Sequence, residues 1–377
     1  MKICLLGCGG FIGSHLVEWL IENSDVEIVG TDISDDKIRH LLDEPRFTYH
    51  HSDLRVDKAF TEQLVREADV LVDLVAVASP KKYVDDPLGV FDLDFMENLR
   101  IVELCTETKT RLIQFSTCEV YGQTWLSLVP DGVIPDDVRE TLDVSMNEDD
   151  TPLIVGPTDK SRWIYSVSKQ MLDRIIHASG EHRGLDYTIV RPFNFVGPRF
   201  DFLPSTRNND PSPRAVAQFM DALLQGTELK LVDGGSALRC YTDIDDAVEA
   251  LGRILLDRKG VTFQETINIG NPRNEISVEG LANLMRDIYA EEYWDGESKL
   301  SDIVSVHHEE FFGRGYQDCD RRVPNVDKAR RLLDWEPVHD LEYLIRKTMQ
   351  AFVDDLESTE GTTLARSTSA PLAPATV

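Results

Sequence analysis

A glycine-rich turn between an apolar strand and a helix lies at the start of this chain. Residues 3–6 predict a short buried strand, and Gly7, Gly9, Gly10 and Gly13 follow it directly. Apolar residues then recur at helical spacing. A turn of this kind directs backbone N–H groups and a helix N-terminus at a pyrophosphate. The sequence therefore predicts a dinucleotide site with contacts from Gly7, Gly10, Phe11, Ile12 and Gly13.

The strands after this turn indicate which dinucleotide binds. The second strand ends at Asp32, about 20 residues past the turn, where an acid suits the 2′-hydroxyl of the adenosine ribose and favours NAD over NADP. A third strand, residues 47–51, ends just before Asp53. Asp53 is placed either to meet the adenine amino group or to cap the helix that follows. A glycine-rich turn without any ligand is the alternative for the whole segment.

Strands and helices continue to alternate after this unit. Strands are predicted at 70–78, 111–115 and 187–190, with a helix at 92–108. This order predicts an α/β fold with a Rossmann-type, doubly wound parallel sheet, whose ligands bind beyond the carboxyl ends of the strands.

The pattern changes near residue 195 and indicates a smaller lobe. We expect an NAD-binding domain at 1–195 with a long loop at 125–160, and a C-terminal substrate-binding lobe at 196–350. The chain returns to the sheet near 265–270. The Ser-, Thr-, Ala- and Pro-rich segment 358–377 is predicted to be a disordered tail.

Tyr165 and Lys169 are the candidate catalytic pair. Their spacing places both side chains on one face of a helix, about 40° apart, and Arg162 shares that face. A nearby Lys cation favours the phenolate, so we expect the pKa of Tyr165 to be lowered and its oxygen to act as a base towards a sugar hydroxyl. A chance pair on an ordinary amphipathic helix is the alternative.

Composition excludes several classes of partner. The net charge is −28, from 39 basic and 67 acidic residues, which argues against binding to nucleic acid or an anionic membrane. An anionic substrate therefore needs a local basic site. The six cysteines have no metal-ligand spacing, so we expect free thiols and no metal. Without a long apolar run or a signal peptide, a cytoplasmic protein is expected.

Taken together, these motifs resemble the extended short-chain dehydrogenase/reductase family that acts on nucleotide sugars, over roughly residues 1–350. The glycine turn, Tyr165-x-x-x-Lys169, residues 191–194 (Arg-Pro-Phe-Asn) and residues 268–270 (Asn-Ile-Gly) carry the likeness. Within the family, residues 162–166, 229–235 and 315–318 are similar to UDP-glucuronate decarboxylases. These are the dehydrogenase/decarboxylase half of the bifunctional polymyxin-resistance enzyme and the plant UDP-apiose/UDP-xylose synthases.

The resemblance implies roles for individual residues. Asp32, Asp53 and Leu54 would contact NAD, and Tyr165 and Lys169 would contact it as well as act in catalysis. Glu119 and Arg322 would be the acid/base residues of decarboxylation. Thr117 would hydrogen-bond the reacting oxygen, and Cys118 would lie beside it. The UDP-sugar pocket would be formed by Ala78, Tyr83, Thr117, Cys118, Arg162, Asn194, Arg214, Lys230, Arg239 and Tyr316.

The implied reaction is NAD-dependent oxidation and decarboxylation of UDP-glucuronate, giving a UDP-4-keto-pentose, UDP-xylose or both. Alternatives are a UDP-apiose/UDP-xylose synthase, a 4,6-dehydratase, a 4-epimerase or a non-catalytic NAD-binding protein. Cys118 matches the plant synthases, but these carry a second Cys where this chain has Ala78. The resemblance also implies a homodimer formed by helices 92–108 and 163–179.

Overall fold

The computed structural model describes residues 1–130, 133–135, 138, 141–206 and 214–360. Its strands are β1 Lys2–Leu6, β2 Glu27–Asp32, β3 Phe47–His51, β4 Val70–Asp73, β5 Arg111–Phe115, β6 Tyr187–Pro192, β7 Phe195–Val196, β8 Leu229–Val232, β9 Leu238–Cys240, β10 Thr242–Asp243, β11 Glu265–Ile269, β12 Glu275–Ser277, β13 Ile303–Val306 and β14 Arg321–Arg322. Its α-helices are α1 Phe11–Asn23, α2 Lys58–Glu67, α3 Pro80–Asp85, α4 Pro87–Phe91, α5 Asn98–Thr108, α6 Ile164–Arg183, α7 Ala215–Gln225, α8 Ile244–Leu255, α9 Val278–Glu292, α10 His308–Phe311, α11 Asp327–Leu333 and α12 Leu341–Glu360.

The central sheet has seven strands in the order β11-β6-β5-β4-β1-β2-β3, and every pair is parallel. The order reverses direction between β1 and β4, which is where a doubly wound sheet opens a crevice for ligands. The Rossmann-type fold is thus confirmed. The predicted return to the sheet is β11, which pairs with β6 along its whole length.

Alternating side chains of the sheet enter two separate apolar layers. Ile3 and Leu5 join a cluster covered by α1 and α8, whereas Cys4 and Leu6 join a second cluster covered by α2, α5 and α6. A strand buried on both faces needs apolar residues throughout, which explains the continuous apolar run in β1. Each such side chain contributes roughly 1.5–3 kcal/mol by leaving water.

The C-terminal lobe is built from small sheets and helices. β8 pairs with β13, β9 lies between β12 and β14, and β7 pairs with β10. The apolar residues of this lobe belong to the same hydrophobic cluster as one face of the central sheet; Leu231, Met285 and Met349 join Val72 and Ile267 in it. We call this continuous cluster the shared core. The lobe is therefore packed on the sheet rather than tethered to it.

Several element boundaries differ from the sequence-based expectations. β4 ends at Asp73 instead of residue 78, because the Asp73 carboxylate accepts the N–H of Val75 at 3.1 Å and turns the chain. The helix expected at 92–108 begins as a π-helix, Asp92–Glu97, before α5. α12 extends to Glu360, three residues into the segment expected to be a tail; the rest of that segment, 361–377, lies outside the described residues.

The loop expected at 125–160 is described only in part, since six of its positions are omitted. Its described residues form β-bridges, with Gly122 opposite Ile154 and Met146 opposite Pro324, so the segment packs against both halves of the protein. The six cysteines are free and buried, as expected. Among the described residues, no helix is both long and apolar enough to cross a membrane.

Candidate active site

A cavity of about 1050 Å³, here called the central cleft, lies at the carboxyl ends of β1, β4, β5 and β6, beneath the lobe. Most of the residues predicted for the site line it together. They are Gly7, Gly10, Phe11, Ile12, Gly13, Ala78, Tyr83, Thr117, Cys118, Glu119, Arg162, Tyr165, Asn194, Arg214, Lys230, Arg239, Tyr316 and Arg322.

The glycine turn forms a tight cradle at the start of α1. A Cβ added to Gly9 would lie 2.0 Å from the Ser34 carbonyl oxygen, and one added to Gly13 would lie 2.4 Å from that of Gly7, so larger residues do not fit. Gly10 is the N-cap residue of α1 and has no side chain to cap the helix. The first-turn amides are therefore available to an anion. These residues therefore fit the pyrophosphate of a dinucleotide.

The residues expected to contact the ribose and adenine of NAD differ in how they are placed relative to the glycine cradle. The Asp32 carboxylate accepts the Gly9 N–H at 2.9 Å, so it lies beside the cradle as a ribose ligand should. Asp53 forms a two-pronged ion pair with Arg55 and does not cap α2, whose N-cap residue is Asp57; that alternative was wrong. Neither Asp32, Asp53 nor the buried Leu54 lines the central cleft, and their contacts with NAD stay predictions.

Tyr165 and Lys169 lie one turn apart on α6, as the spacing predicted. The Tyr165 ring stacks on Tyr83, with centroids 4.6 Å apart and planes 7° from parallel, and this stacking fixes the direction of its hydroxyl. The buried Lys169 ammonium donates to the carbonyl oxygen of Phe115 at 3.1 Å, at the end of β5. The phenol thus lines the cleft while the ammonium is held behind it.

The expected lowering of the Tyr165 pKa was wrong for the protein without cofactor. Burial raises the pKa of Tyr165 well above its ordinary value, and the nearby Asp94 and Glu119 carboxylates add to the rise; hydrogen bonding to Thr117 opposes it. Spacing along a helix indicates that the Tyr165 hydroxyl lies near a cation, but it does not indicate how deeply that hydroxyl is buried. The loss of water on burial has the larger effect on the pKa of Tyr165.

Two guanidinium groups enclose one carboxylate on the floor of the cleft. Arg322 Nη1 donates to Glu119 Oε1 at 2.6 Å, and Arg162 pairs with the other oxygen of Glu119. Arg162 is 1% exposed and Arg322 is 3% exposed. Burial alone would raise the pKa of Glu119, but the two arginines outweigh it and lower that pKa to about 2. Glu119 is therefore ionised at neutral pH.

Strand pairing brings a third arginine to the same place. β14 pairs with β9 so that Arg322 lies opposite Arg239, and Asp318 contacts the guanidinium groups of both, at 2.7 Å from Arg239 and 3.7 Å from Arg322. Burial opposes ionisation of Asp318, yet the arginines lower its pKa to about 2. The adjacent Cys118 thiol is buried, which raises its pKa to about 11, so it is a neutral thiol.

The remaining predicted substrate residues surround this floor. Asn194 adopts a left-handed backbone, φ 40°, and its amide donates to the Cys240 carbonyl at 2.8 Å. Arg214 is held by Asp201 and lies over the Phe200 ring, 3.5 Å from the centroid. Tyr316 stacks on Phe312, with centroids 4.1 Å apart. Lys230 is exposed on β8 and Ala78 follows β4, both at the cleft wall.

Sequence reasoning missed two acids that act on this site. Asp318 was part of a quoted motif, but nothing in the sequence placed it among three arginines. Asp94 lies in the π-helix, fully buried; one oxygen accepts the Val77 N–H at 2.8 Å and the other has no hydrogen-bond partner within the described chain. Burial raises the pKa of Asp94 to about 6, against the opposing charge of Lys169. An Asp within a helical pattern reads as a solvent-facing residue, so no signal predicted its burial.

One edge of the parallel sheet carries both the glycine cradle and the Tyr165–Lys169 pair. This combination defines a dinucleotide-dependent enzyme of the Rossmann class. A family comparison specifies it further, because the model of the NAD dependent epimerase/dehydratase family matches residues 3–270. The chain belongs to that family, and its cofactor is NAD.

Solved structures agree with this assignment. The chain is 33% identical to the PbgP3 protein from Burkholderia pseudomallei, with a TM-score of 0.81, covering 95% of this chain and 97% of that one. It is 22% identical to a dTDP-glucose 4,6-dehydratase from Bacillus anthracis in complex with NAD, with a TM-score of 0.73 and coverage of 96% and 99%. It is also 22% identical to a UDP-glucuronic acid 4-epimerase from Bacillus cereus, with a TM-score of 0.72 and coverage of 94% and 100%. At 22% identity, the likeness concerns the fold alone.

Proposed function

We propose that this protein catalyses the NAD-dependent oxidative decarboxylation of UDP-glucuronate through a UDP-4-keto intermediate. The substrate is a nucleotide sugar whose hexose carries a carboxylate at C6. The product is a UDP-4-keto-pentose, or UDP-xylose where the hydride is returned.

The observation that carries the proposal is the unused hydrogen-bonding capacity of Arg322. Its Nη1 is committed to Glu119, but Nε and Nη2 have no hydrogen-bond acceptor among the described residues, although the side chain is buried in the lining of the cleft. Buried donors without acceptors are costly, at about 1–3 kcal/mol each, unless a ligand satisfies them. A planar guanidinium fork matches the two oxygens of a carboxylate, so a sugar acid suits this position.

Oxidation at C4 is assigned to the Tyr165 side of the cleft. Tyr165 takes the proton of the C4 hydroxyl at its phenolic oxygen, and Thr117 hydrogen-bonds the same substrate oxygen. NAD, when bound, supplies the hydride acceptor and a positively charged ring that favours the phenolate. Lys169 adds a fixed positive charge behind the phenol, and Tyr83 keeps the ring in place.

Loss of CO2 is assigned to the arginine side. A 4-keto group makes the C6 carboxylate β to a carbonyl, so the C5–C6 bond breaks with its electrons delocalised onto the C4 oxygen, where hydrogen bonds stabilise the developing charge. Arg322 and Arg162 hold the carboxylate before it leaves. Glu119, ionised in the resting enzyme, orients both guanidinium groups. C5 then takes a proton from a water molecule held by these groups, which regains a proton from bulk solvent, because Glu119 is ionised and has no proton to give.

The test is incubation of the purified protein with UDP-glucuronate and NAD, followed by mass spectrometry and NMR of the nucleotide product and measurement of released CO2. The expected product has lost the mass of CO2. Loss of the mass of water would indicate a dehydratase, and unchanged mass with inverted C4 an epimerase; either result contradicts the proposal. Absorbance of NADH during turnover tells whether the hydride is retained.

Arg322→Ala and Arg322→Lys separate the role of the guanidinium fork from that of its charge. We expect Ala to abolish decarboxylation and Lys to recover only a small part, because an ammonium cannot bind two carboxylate oxygens side by side. Arg321→Lys is the matched control, since Arg321 pairs with Glu275 away from Arg322. An Arg322→Ala enzyme with wild-type turnover would remove the assignment.

We also propose a homodimer in the cytoplasm, formed through α6 and its neighbour α5. Val167 and Met171, one turn apart on α6, are 40% and 48% exposed, and Met96 just before α5 is 50% exposed. Apolar side chains exposed together on packed helices are typical of a surface that binds another protein chain. Light scattering of the wild type and of Met171→Glu tests this; a monomeric wild type contradicts it.

A further inference from the structure

Two parallel strands of the lobe end side by side and bring three metal-binding side chains together. In the β8–β13 pair, Val232 lies opposite Val306, the last residue of each strand. Asp233 and His307 follow immediately, so the register places them next to each other, and His308 comes next. One ligand atom from each of these three residues lies within 4.8 Å of the other two.

The three side chains are already oriented towards each other. The Asp233 carboxylate accepts the backbone N–H of His308 at 3.1 Å, and its second oxygen lies 2.7 Å from His308 Nδ1. The imidazole rings of His307 and His308 have centroids 4.3 Å apart. A cation binding in this group would replace the contact between Asp233 and His308 Nδ1.

The donor set selects the kind of cation. Two imidazole nitrogens and one carboxylate oxygen suit divalent transition metals such as Zn²⁺, whereas Mg²⁺ and Ca²⁺ prefer oxygen ligands throughout. Asp233 is 51% exposed and His308 is 28% exposed by side chain, so both are accessible to an ion in solution. The six cysteines are buried and do not compete as thiolate ligands.

The position of the group relates it to the central cleft. Asp233 and His308 line the central cleft. Lys230 also lines it and lies on β8, the strand that ends directly before Asp233. Three protein ligands leave at least one coordination position of a tetrahedral ion open. The group borders a cleft whose proposed substrate carries a diphosphate, and the net charge of the whole chain is −28.

We propose that Asp233, His307 and His308 form a divalent transition-metal site at the rim of the central cleft, and that the bound ion accepts a diphosphate oxygen of the nucleotide. Metal binding itself is independent of the proposed decarboxylation; the diphosphate contact rests on that proposed substrate class. The ion places positive charge where the acidic chain otherwise repels an anionic ligand.

Metal binding is tested with untagged protein, titrated with Co²⁺ for its visible absorption band and with Zn²⁺ by calorimetry. We expect one ion per chain and a Co²⁺ band typical of four or five ligands. His307→Ala and His308→Ala should each weaken Zn²⁺ binding by more than the roughly 10–100-fold that loss of an outer-shell partner costs.

His182→Ala is the matched control, because this histidine is exposed on α6 and forms its ion pair with the neighbouring Glu181. It should bind Zn²⁺ like the wild type. Absence of a Co²⁺ band, or equal Zn²⁺ affinity in the wild type and both site variants, would overturn the metal site. Each variant is checked by circular dichroism, and NAD binding reports that the cleft is intact.

The diphosphate contact is tested with UDP and uridine as probes, each with and without Zn²⁺. We expect Zn²⁺ to tighten UDP binding at least about tenfold and to leave uridine unchanged, since only UDP offers phosphate oxygens. His307→Ala should lose this coupling. Equal UDP affinity with and without Zn²⁺ would overturn the contact, and failure of decarboxylation in the separate turnover assay would leave this result intact.

Discussion

Glu119→Gln removes the negative charge between two buried arginines while keeping the size of the side chain. The pKa of Glu119 falls from an ordinary 4.5 to about 2 in the folded protein. Each pKa unit corresponds to about 1.4 kcal/mol, so the ionised carboxylate contributes about 3 kcal/mol to the free energy of unfolding at neutral pH. The variant also leaves Arg162 and Arg322 without their shared counter-charge, a change that typically costs about 3–5 kcal/mol.

The pH dependence has a definite sign. Because the folded-state pKa is lowered, the contribution of Glu119 is fully present above pH 4.5 and is lost as the pH falls towards 2. The difference between wild type and variant should therefore be constant from pH 7 to pH 5 and shrink below that. Urea unfolding followed by tryptophan fluorescence, on the protein without ligands at four pH values, measures it.

Glu62→Gln is the matched control for that experiment. Glu62 also pairs with an arginine, Arg66 at 2.7 Å, but the two side chains are 44% and 52% exposed. We expect a loss within about 0.5 kcal/mol, because water screens exposed pairs. A Glu119→Gln variant within about 1 kcal/mol of the wild type at pH 7, or a difference that grows as the pH falls, would refute the electrostatic reasoning.

Three further outcomes are expected. Tyr165→Phe should lower turnover by at least about 10²-fold, measured as CO2 release, because the proton acceptor is gone; near-normal turnover would exclude Tyr165 as the base. Asp94→Asn should stabilise the protein by about 3 kcal/mol at pH 7. Burial raises the pKa of Asp94 from 3.8 to about 6, so the wild-type folded state loses stability as the pH rises through that interval. In denaturant unfolding, a gain at pH 7 that persists unchanged at pH 4 would contradict this prediction. Gly9→Ala should weaken NAD binding at least about tenfold in fluorescence titration, because its Cβ would meet the Ser34 carbonyl at 2.0 Å; wild-type affinity would disprove the cradle geometry.

Local patterns predicted the half of the fold that repeats strand and helix. The glycine turn, the apolar β1 and the return of β11 are each encoded within a few residues, so sequence was sufficient for them. The end of β4 at Asp73 was missed, because it depends on one side-chain bond to Val75. The π-helix was missed as well, since its hydrogen bonding has no residue signature.

The sequence predicted most of the residues that gather in the central cleft, but it did not predict their electrostatics. Arg322 and Glu119 are 203 residues apart, and the resemblance to a family, not the spacing, named them together. Asp318 and the burial of Asp94 depend on how the lobe and the helices pack, which no local pattern records. The pKa of Tyr165 was predicted in the wrong direction, because helical spacing reports the neighbouring Lys169 and not the depth of burial.

The shared core also has a consequence for protein engineering. A fragment ending near residue 195 would lack β11, an edge strand of the central sheet, and would expose apolar side chains that now share one buried cluster with Leu231 and Met349. Exchanging the lobe for that of a relative, as a route to new sugar specificity, therefore requires redesign of the shared core in both the sheet and the lobe. Chimeras joined at this boundary without such repacking should be recovered as aggregates rather than as hybrid enzymes.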